Sequence, residues 1–212
     1  MFITFEGVEG CGKTVQARLL ADHLRERGLQ VLLTREPGGT EIGDQIRTVL
    51  HDTANTAMLP TAEILLYSAA RAQIVGQIIR PALAAGQTVV SDRYADSTLA
   101  YQGYGRCLDL EALRYITAFA TGGLRPDVTF LIDVDVTVGL SRKHAAFRAQ
   151  RDELNRMDRQ SVEFYERVRA GYLTMAHAEP DRWLVVDGDR GIEAIQADIR
   201  RLLDARAGGA SG

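Results

Sequence analysis

The segment from Gly7 to Thr14 has the residue types and spacing of a phosphate-binding loop. It reads Gly7-Val8-Glu9-Gly10-Cys11-Gly12-Lys13-Thr14 and fits G-x-x-x-x-G-K-[ST] throughout. Glycines let backbone N–H groups turn inward around phosphate oxygens, and the N-terminus of a following helix adds partial positive charge. Lys13 can then reach the β- and γ-phosphates of ATP, while the Thr14 hydroxyl can bind Mg²⁺. A glycine-rich turn that matches the pattern by chance is the alternative.

Asp92 and Arg93 stand directly after an apolar segment that ends at residue 91. Nucleotide-binding sheets hold the acid on the metal side at the end of a buried strand beside the phosphate loop. Arg93 would add a fixed cation to the same cleft. The alternative for Asp92 is an ordinary turn or helix cap. The pair therefore predicts a second part of the phosphate site, with Asp92 for Mg²⁺ and Arg93 for an anion.

Tyr67 and Arg71 are four residues apart in a segment with helical spacing, so they project from one helix face. An aromatic ring beside a guanidinium suits a planar base, because the ring stacks and the guanidinium donates to a carbonyl. Spacing alone nevertheless favours a core tyrosine beside an arginine at the helix surface.

Alternating apolar and helical segments predict how these residues are positioned. Five short apolar segments predict strands at residues 2–6, 30–34, 87–91, 128–133 and 183–187. Helical spacing between them predicts helices at residues 14–27, 41–51, 61–85, 110–121, 136–150, 159–178 and 192–207. Strands that alternate with helices predict a parallel α/β sheet. We expect Pro81 to bend the helix at 61–85 and Gly76 to loosen it. One domain is expected over residues 1–206, with a flexible tail at 207–212.

Composition excludes several classes of protein. The 212 residues carry a formal net charge of −3, so no basic field indicates nucleic-acid binding. No apolar segment has the length of a membrane span, and the first residues lack the pattern of a signal peptide. Cys11 and Cys107 form neither a disulfide framework nor a metal-binding spacing. We therefore expect a cytoplasmic protein without a membrane or nucleic-acid partner.

Four further motifs follow the loop in order, at residues 35–40 (REPGGT), 67–73 (YSAARAQ), 92–94 (DRY) and 101–103 (YQG). With this set the chain closely resembles bacterial thymidylate kinases from residue 2 to about residue 187. The resemblance implies the three-layer P-loop nucleoside monophosphate kinase fold, an α/β fold. Its five-stranded parallel sheet has the order 2-3-1-4-5, with helices on both faces. The resemblance also implies a homodimer that uses ATP and Mg²⁺ to phosphorylate dTMP to dTDP in dTTP synthesis.

The resemblance implies a thymidine pocket built from two segments of the chain. Tyr67 stands where the family's aromatic ring stacks on thymine, and Arg71 where an arginine hydrogen-bonds the base. Thr98 and Gln102 correspond to positions near the base. Tyr101 corresponds to a position near the deoxyribose, where its ring would exclude a ribose 2′-hydroxyl. Without the resemblance, the second segment would be interpreted as the polar start of a helix with one packed tyrosine.

On the phosphate side, the resemblance implies that Arg93 holds the acceptor phosphate, assisted by Arg47. Glu36 is expected to orient Arg93 or the acceptor. Glu9 matches a position that holds the sugar 3′-hydroxyl or water around the metal. An isolated loop glutamate would otherwise be interpreted as solvated. Arg93 and Glu9 are therefore expected to be catalytic.

The resemblance also implies a closing lid that brings an arginine to the transferred group, and the run of basic residues after the fourth strand makes residues 141–153 the candidate for it. Phosphoryl transfer needs cations around the moving group, and the phosphate loop supplies a single lysine. Arg148 and Arg151 are expected at the phosphates, and Arg142 stacked on adenine. Asn155 replaces the aspartate of the family's Glu-Leu-Asp-Arg, which leaves open which arginine reaches the transferred group. A solvated helix face, the usual meaning of a charge run, is the alternative.

The predicted reaction is direct in-line transfer, with Lys13 and Asp92 among the catalytic residues. It needs neither a covalent intermediate nor a side-chain base, because a phosphate oxygen is already nucleophilic. Another nucleoside monophosphate kinase, or a deoxynucleoside kinase, would share the loop and Asp92 but not the thymine-side residues. A nucleotide-dependent switch would need a nucleotide-sensing loop and a positioned water, for which the sequence offers no clear device. A non-catalytic scaffold would not need an intact Lys13, Thr14 and Asp92.

Overall fold

The computed structural model of the protein describes residues 1–150 and 155–209. Within this part of the chain, five strands form one parallel sheet in the order β2-β3-β1-β4-β5. The strands are β1 (Phe2–Glu6), β2 (Val31–Arg35), β3 (Thr88–Asp92), β4 (Val128–Asp133) and β5 (Trp183–Asp187). The strand order implied by the resemblance is confirmed. β1, β4 and β5 have the predicted bounds, and β2 and β3 lie one residue later.

β1 lies at the centre of the sheet, where all of its residues are buried. It pairs with β3 through Ile3 opposite Val90, and with β4 through Phe5 opposite Phe130. These apolar side chains belong to the larger of two core clusters, which joins the sheet to the helices around it. A nearly continuous apolar sequence is what a strand covered on both faces requires. The centre of the sheet therefore gives the phosphate loop a rigid base.

Helices connect the strands and pack around the sheet. They are α1 (Lys13–Glu26), α2 (Glu41–His51), α3 (Pro60–Ile74), α4 (Arg80–Ala84), α5 (Ala95–Thr98), α6 (Leu110–Thr121), α7 (Val136–Arg148), α8 (Val162–Ala178) and α9 (Ile192–Gly209). α2 and α6 have the predicted bounds because side chains cap their first turns. The Thr40 side chain accepts from the backbone N–H of Gly43, and that of Asp109 accepts from Glu111 and Ala112.

The predicted helix at 61–85 is wrong as a single α-helix. It is divided into α3, a π-helical turn at Val75–Ile79 that contains Gly76, and α4. Pro81 has no backbone N–H, so the carbonyl of Gln77 lacks its α-helical donor, and a wider turn is formed. Around Gly76 and Pro81 the structure thus shows a change of helix type, and the expected bend stays a prediction.

Two short elements were not predicted, and both border the cavity described below. A π-helical segment, Leu99–Gly105, directly continues α5. A 3₁₀-helix, Arg156–Arg159, ends at the first residue of the helix predicted at 159–178. α8 begins at Val162 because the Ser161 side chain caps it by accepting from the backbone N–H of Phe164.

The last helix extends beyond the expected domain boundary. α9 continues to Gly209, three residues past residue 206, and residues 210–212 of the expected tail lie outside the described residues. In the described ranges, no helix combines the length and the apolar character that crossing a bilayer requires.

Candidate active site

A cavity of about 810 Å³ lies at the carboxyl ends of β1, β2 and β3, where parallel sheets bind ligands. The described residues that line it include seven cationic side chains and three carboxylates. The cations are Lys13, Arg35, Arg47, Arg71, Arg93, Arg142 and Lys143. The carboxylates are Glu9, Glu36 and Asp92. The excess of positive charge suits a large anionic ligand, or two.

One wall of the cavity, which we name the loop side, is formed by Gly7–Thr14 together with Asp92. Three loop glycines, Gly7, Gly10 and Gly12, have positive φ angles. A Cβ atom on Gly10 would lie 1.9 Å from the carbonyl oxygen of Gly139 in α7, so glycine is required there by packing as well as by conformation. Val8 and Cys11 are buried in the core. Any contact of these two residues with a ligand must therefore come from the backbone.

Lys13 is folded back over the loop. Its Nζ donates to the carbonyl oxygens of Gly7 at 3.0 Å and Val8 at 2.8 Å, and it lies 3.4 Å from Sγ of Cys11. The side chain is buried, although the residue lines the cavity. These contacts keep a positive charge on the inner surface of the loop.

Thr14 and Asp92 meet as the sequence predicts. Oγ1 of Thr14 donates to Oδ2 of Asp92 at 2.5 Å. Mg²⁺ prefers oxygen ligands and is usually held by one or two carboxylates together with phosphate and water oxygens. The described residues contain no cluster of three His, Cys, Asp or Glu side chains that could hold a metal alone. The pair therefore fits Mg²⁺ that arrives with a nucleotide.

Arg93, Glu9 and Tyr101 form a compact group beside the loop. Nη2 of Arg93 donates to Oε1 of Glu9 at 2.6 Å and to the Tyr101 hydroxyl at 3.0 Å. That hydroxyl donates to the same Glu9 oxygen at 3.1 Å. The guanidinium carbon also lies 4.9 Å from the centre of the Tyr101 ring. The backbone of Arg93 has φ 71°, so its side chain leaves from the left-handed region that larger residues seldom adopt.

The charges in this group are fixed at neutral pH. Burial alone would raise the pKa of Glu9, but Arg93, Lys13 and Lys143 outweigh it and lower the pKa to about 2. Burial likewise opposes the charged form of Arg93, and the Glu9 carboxylate more than compensates, so the pKa of Arg93 lies well above its ordinary value. Glu9 is therefore a carboxylate and not a proton donor at neutral pH.

The opposite wall, which we name the base side, is formed by Glu36, Tyr67, Arg71, Thr98 and Gln102. Arg71 is almost fully buried and donates to Oε2 of Glu36 at 2.7 Å, to Oγ1 of Thr98 at 2.8 Å and to the Tyr94 carbonyl at 3.1 Å. Tyr67, one turn earlier in α3, lines the same cavity, and burial raises its pKa to about 12. The structure thus brings Tyr67 and Arg71 together as a ring and a guanidinium on one wall.

Glu36 contacts Arg71 and not Arg93, so of its two expected roles the orientation of Arg93 is not seen, and the orientation of the acceptor stays a prediction. Its second oxygen, Oε1, is buried without a hydrogen-bond partner among the described residues. Burial raises the pKa of Glu36 despite the opposing charge of Arg71. The free oxygen leaves Glu36 able to accept one hydrogen bond from a ligand.

Gln102 is held by a buried carboxylate, Glu63, which the sequence analysis missed. Oε1 of Glu63 accepts from Gln102 Nε2 at 2.8 Å and from Arg106 Nε at 2.8 Å, and Oε2 accepts from Arg106 and Arg156. Arg156 also donates to the carbonyl of Leu50 in α2. Glu63 therefore ties α2, α3 and the 3₁₀-helix together behind the base side.

α2 contributes Arg47 and His51, one turn apart, to the cavity lining. Burial and the neighbouring Arg35 lower the pKa of Arg47, whose Nη1 donates to the Pro37 carbonyl at 2.9 Å. Burial and Arg47 lower the pKa of His51 to about 4. His51 is therefore neutral at neutral pH, and Arg47 carries the charge of this pair toward the cavity.

The predicted lid is only partly described. Arg142 of α7 lines the cavity and donates to the Gly188 carbonyl at 2.8 Å and to Asp189 at 2.9 Å. Arg148 is exposed at the end of α7, and Arg151 lies outside the described residues. Asn155 is the N-cap of the 3₁₀-helix, where its side chain accepts from the Met157 N–H. The amide that replaces the family's aspartate thus has a local structural role.

Comparisons with known proteins agree with this geometry. The family model described as thymidylate kinase matches residues 5–199. The chain belongs to the thymidylate kinase family. It is similar to the thymidylate kinase of Roseiflexus sp. (strain RS-1), with 53% identity over 211 residues that cover 96% of this chain and 93% of that protein. For the thymidylate kinase of Geobacter sulfurreducens, the identity is 50% over 203 residues, 95% of each chain.

A solved member of the thymidylate kinase family has the same fold. The crystal structure of the thymidylate kinase from Ehrlichia chaffeensis superimposes with a TM-score of 0.76 at 34% sequence identity. The match covers 96% of this chain and 98% of that one. Membership of the family thus rests on sequence and on three-dimensional structure alike.

Thymidylate kinase motifs led to most of the lining, but not to His51, and they did not lead to Glu63 behind Gln102. A signal for Glu63 exists, because it precedes Tyr67 and Arg71 at four-residue spacing on one face of α3. His51 similarly follows Arg47 by four residues in α2. Extending the helix-face argument by one turn in each case would have found both residues.

Proposed function

We propose that MgATP binds the loop side, that dTMP binds the base side, and that the γ-phosphoryl group passes directly between them. The activity follows from membership of the thymidylate kinase family: the chain phosphorylates dTMP to dTDP with ATP. The observation that carries the proposed arrangement is that both walls belong to one cavity, whose described lining includes seven cationic side chains. Two nucleotides bring many negative charges to one place, and fixed cations lower the cost of bringing them together.

On the loop side, the backbone N–H groups of Gly7–Thr14 and the N-terminus of α1 would hold the ATP phosphates. Lys13 would exchange its contacts with two loop carbonyls for phosphate oxygens. Thr14 and Asp92 would hold Mg²⁺, which when bound neutralises phosphate charge. Arg142, at the edge of the cavity, would stack on adenine.

On the base side, Tyr67 would stack on thymine while Arg71, Thr98 and Gln102 supply hydrogen bonds. Their mutual contacts support this role, because each polar group is already oriented by a buried neighbour. Tyr101 would pack against the deoxyribose and leave no room for a 2′-hydroxyl.

Between the two walls, Arg93 and Arg47 would hold the acceptor phosphate, and Glu9 would hold the orientation of Arg93 or accept from the sugar 3′-hydroxyl. Arg148 or Arg151 would approach the transferred group when the lid closes. A phosphate oxygen of dTMP would attack in line, so no side chain has to remove a proton.

A homodimer belongs to the same proposal and is supported by apolar side chains on α3 and α6, which pack against each other. Leu65, Tyr115 and Phe119 expose 60%, 77% and 84% of their surface. Exposed aromatic side chains of this kind are typical of protein interfaces. Sedimentation velocity should give a dimer for the wild type and a monomer for Phe119→Glu. A monomeric wild type would contradict this part of the proposal.

A cytoplasmic location is proposed with it. Cys11 and Cys107 are both free thiols, which persist in reducing compartments. The cytoplasm also supplies ATP.

A panel of acceptors with ATP and Mg²⁺, followed by ADP release, tests the proposed arrangement. We expect dTMP to react fastest, dUMP and UMP to react more slowly, and thymidine to give no turnover. Removal of Mg²⁺ with EDTA should abolish the reaction. Turnover of thymidine without turnover of dTMP would show that the acceptor wall is wrongly assigned.

A further inference from the structure

Glu6, the last residue of β1, is a carboxyl group buried behind the cavity. It is fully inaccessible to solvent. It accepts hydrogen bonds from the backbone N–H of Tyr94 at 2.8 Å, the Ser97 hydroxyl at 2.6 Å and the Tyr172 hydroxyl at 2.7 Å. These donors belong to the segment after β3, to α5 and to α8. One carboxyl group therefore joins three elements that surround Arg93.

Ser97 connects Glu6 to Arg93. Nη1 of Arg93 donates to Oγ of Ser97 at 3.3 Å, and the Ser97 hydroxyl in turn donates to Glu6. The other end of the guanidinium contacts Glu9 and Tyr101. Nη1 also donates to the Gly7 carbonyl at 3.3 Å, so the guanidinium is held by Glu9 and Tyr101 at one end and by the loop backbone and the Ser97–Glu6 pair at the other.

Among the described residues, the charged groups that act on Glu6 are Arg93 and Asp96. Asp96 is itself paired with Arg182, with contacts of 2.7 and 3.0 Å. Burial, followed by the charge of Asp96, raises the pKa of Glu6 to about 7, against the lowering effects of Arg93 and of the two hydroxyl donors. Glu6 is therefore neutral in mildly acidic solution and charged in mildly alkaline solution.

We propose that Glu6 is a positioning residue for the acceptor phosphate, because it orients Ser97 to accept from Arg93 and so fixes the guanidinium beside Glu9. A carboxylate can only accept hydrogen bonds, which directs the Ser97 proton to Glu6 and leaves the Ser97 lone pairs to Arg93. A protonated carboxyl group or an amide also donates, and it competes with Arg93 for the same oxygen. The inference rests on the proposed role of Arg93 in holding the acceptor phosphate.

The test compares the wild type with Glu6→Gln in kcat/KM for dTMP between pH 6 and pH 9. The wild type should exceed the variant by about ten-fold at pH 8.5, and the two should converge toward pH 6. The phosphate of dTMP titrates in the same range but affects both proteins alike, so the ratio isolates Glu6. KM for ATP should differ by less than about two-fold.

Ser97→Ala removes the hydroxyl that joins Glu6 to Arg93 and leaves the Glu6 carboxyl group in place. At pH 8.5 it should lower kcat/KM for dTMP about as much as Glu6→Gln does, through a higher KM. Thr4→Val is the matched control, because Thr4 is also a buried polar residue of β1 but contacts Thr129 on the neighbouring strand. This control should retain the dTMP kinetics of the wild type at every pH.

A wild-type to Glu6→Gln ratio that does not change with pH, or an equal rise in KM for ATP, would overturn the inference. Arg93→Lys separates it from the proposed function. An unchanged KM for dTMP in Arg93→Lys would reject the phosphate role of Arg93. A raised KM together with a flat Glu6→Gln ratio would reject only the positioning role. If Glu6→Gln fails to fold, Ser97→Ala decides, and unchanged dTMP kinetics there would overturn the inference.

Discussion

Lys13 on the loop side of the cavity and Arg71 on the base side are held by contacts of different range. Lys13 binds the carbonyls of Val8 and Gly7, five and six residues away in the sequence. Arg71 instead binds Thr98 and Glu36, which are 27 and 35 residues away. On the loop side the lysine is held by local contacts, and a long-range hydrogen bond from Thr14 to Asp92, 78 residues away, joins the loop region to β3. The base side is a network of long-range contacts that exists only in the folded chain.

This difference separates catalysis from stability. The Lys13 ammonium contacts two loop carbonyls and the Cys11 sulfur and has no carboxylate partner in these contacts, so its removal leaves no buried charge unpaired. A base-side charge is buried against another charge, so its removal leaves an unpaired group in a low-dielectric region. Substitutions on the loop side should therefore change turnover, and substitutions on the base side should change folding as well as dTMP binding.

Lys13→Ala gives the largest expected effect on turnover. We expect kcat to fall by at least about 100-fold, because a preorganised charge on the transferred phosphates is lost. The melting temperature and the Kd for dTMP should stay near the wild-type values, as measured by calorimetry and by equilibrium titration. Retention of activity would reject the role of the loop, and loss of dTMP binding would erase the distinction between the two walls.

Arg71→Ala should destabilise the fold by about 3–5 kcal/mol, because it leaves Glu36 buried without its partner. The comparison is Arg27→Ala, which breaks an ion pair with Asp204 whose side chains are 52% and 55% exposed and should cost less than about 1 kcal/mol. Urea denaturation measures both values. The double substitution Arg71→Met with Glu36→Leu should recover part of the loss. Equal effects of the two single substitutions would show that the base side is not held by its buried charges.

The same difference in range explains what the sequence could predict. The glycine-rich loop and the strands around it are contiguous patterns, and β1, β4 and β5 agree with them to the residue. Contacts such as Glu63 with Arg156, 93 residues apart, leave no contiguous pattern. Glu6 looked like the end of a strand, and only the packing of α5 and α8 reveals its hydrogen bonds.

Local residue preferences also did not predict the type of helix that forms beside the cavity. The π-helical segment Leu99–Gly105 was not predicted, although it presents Tyr101 and Gln102 to the cavity. The hydrogen bonds of a π-turn span one residue more than those of an α-turn, and the residue types in this segment do not indicate which of the two forms. Tyr101 and Gln102 were therefore predictable from family motifs and not from helical periodicity.

Tyr101→Ala tests whether the Tyr101 ring, which contacts Arg93 and Glu9 between the two walls, selects the sugar of the acceptor. Removal of the ring should admit a ribose 2′-hydroxyl, and we expect the preference for dTMP over its ribonucleotide to fall by about ten-fold in kcat/KM. Tyr101→Phe is the matched control, because it retains the ring and loses only the hydroxyl contacts with Glu9 and Arg93. It should keep the sugar preference. Unchanged discrimination in Tyr101→Ala would assign the selection of the sugar to another residue.

Arg142→Ala is expected to have the smallest effect, because its side chain is 39% exposed and its present partners are Asp189 and the Gly188 carbonyl. Loss of a guanidinium stacked on adenine should raise KM for ATP by about five-fold and leave KM for dTMP unchanged. Arg201→Ala, which removes an exposed partner of Asp198 far along α9, is the control and should match the wild type. Steady-state kinetics with each substrate varied in turn measures both constants. A rise in KM for dTMP alone would mean that α7 serves the acceptor and not the donor, and the division of the cavity into two walls would have to be redrawn.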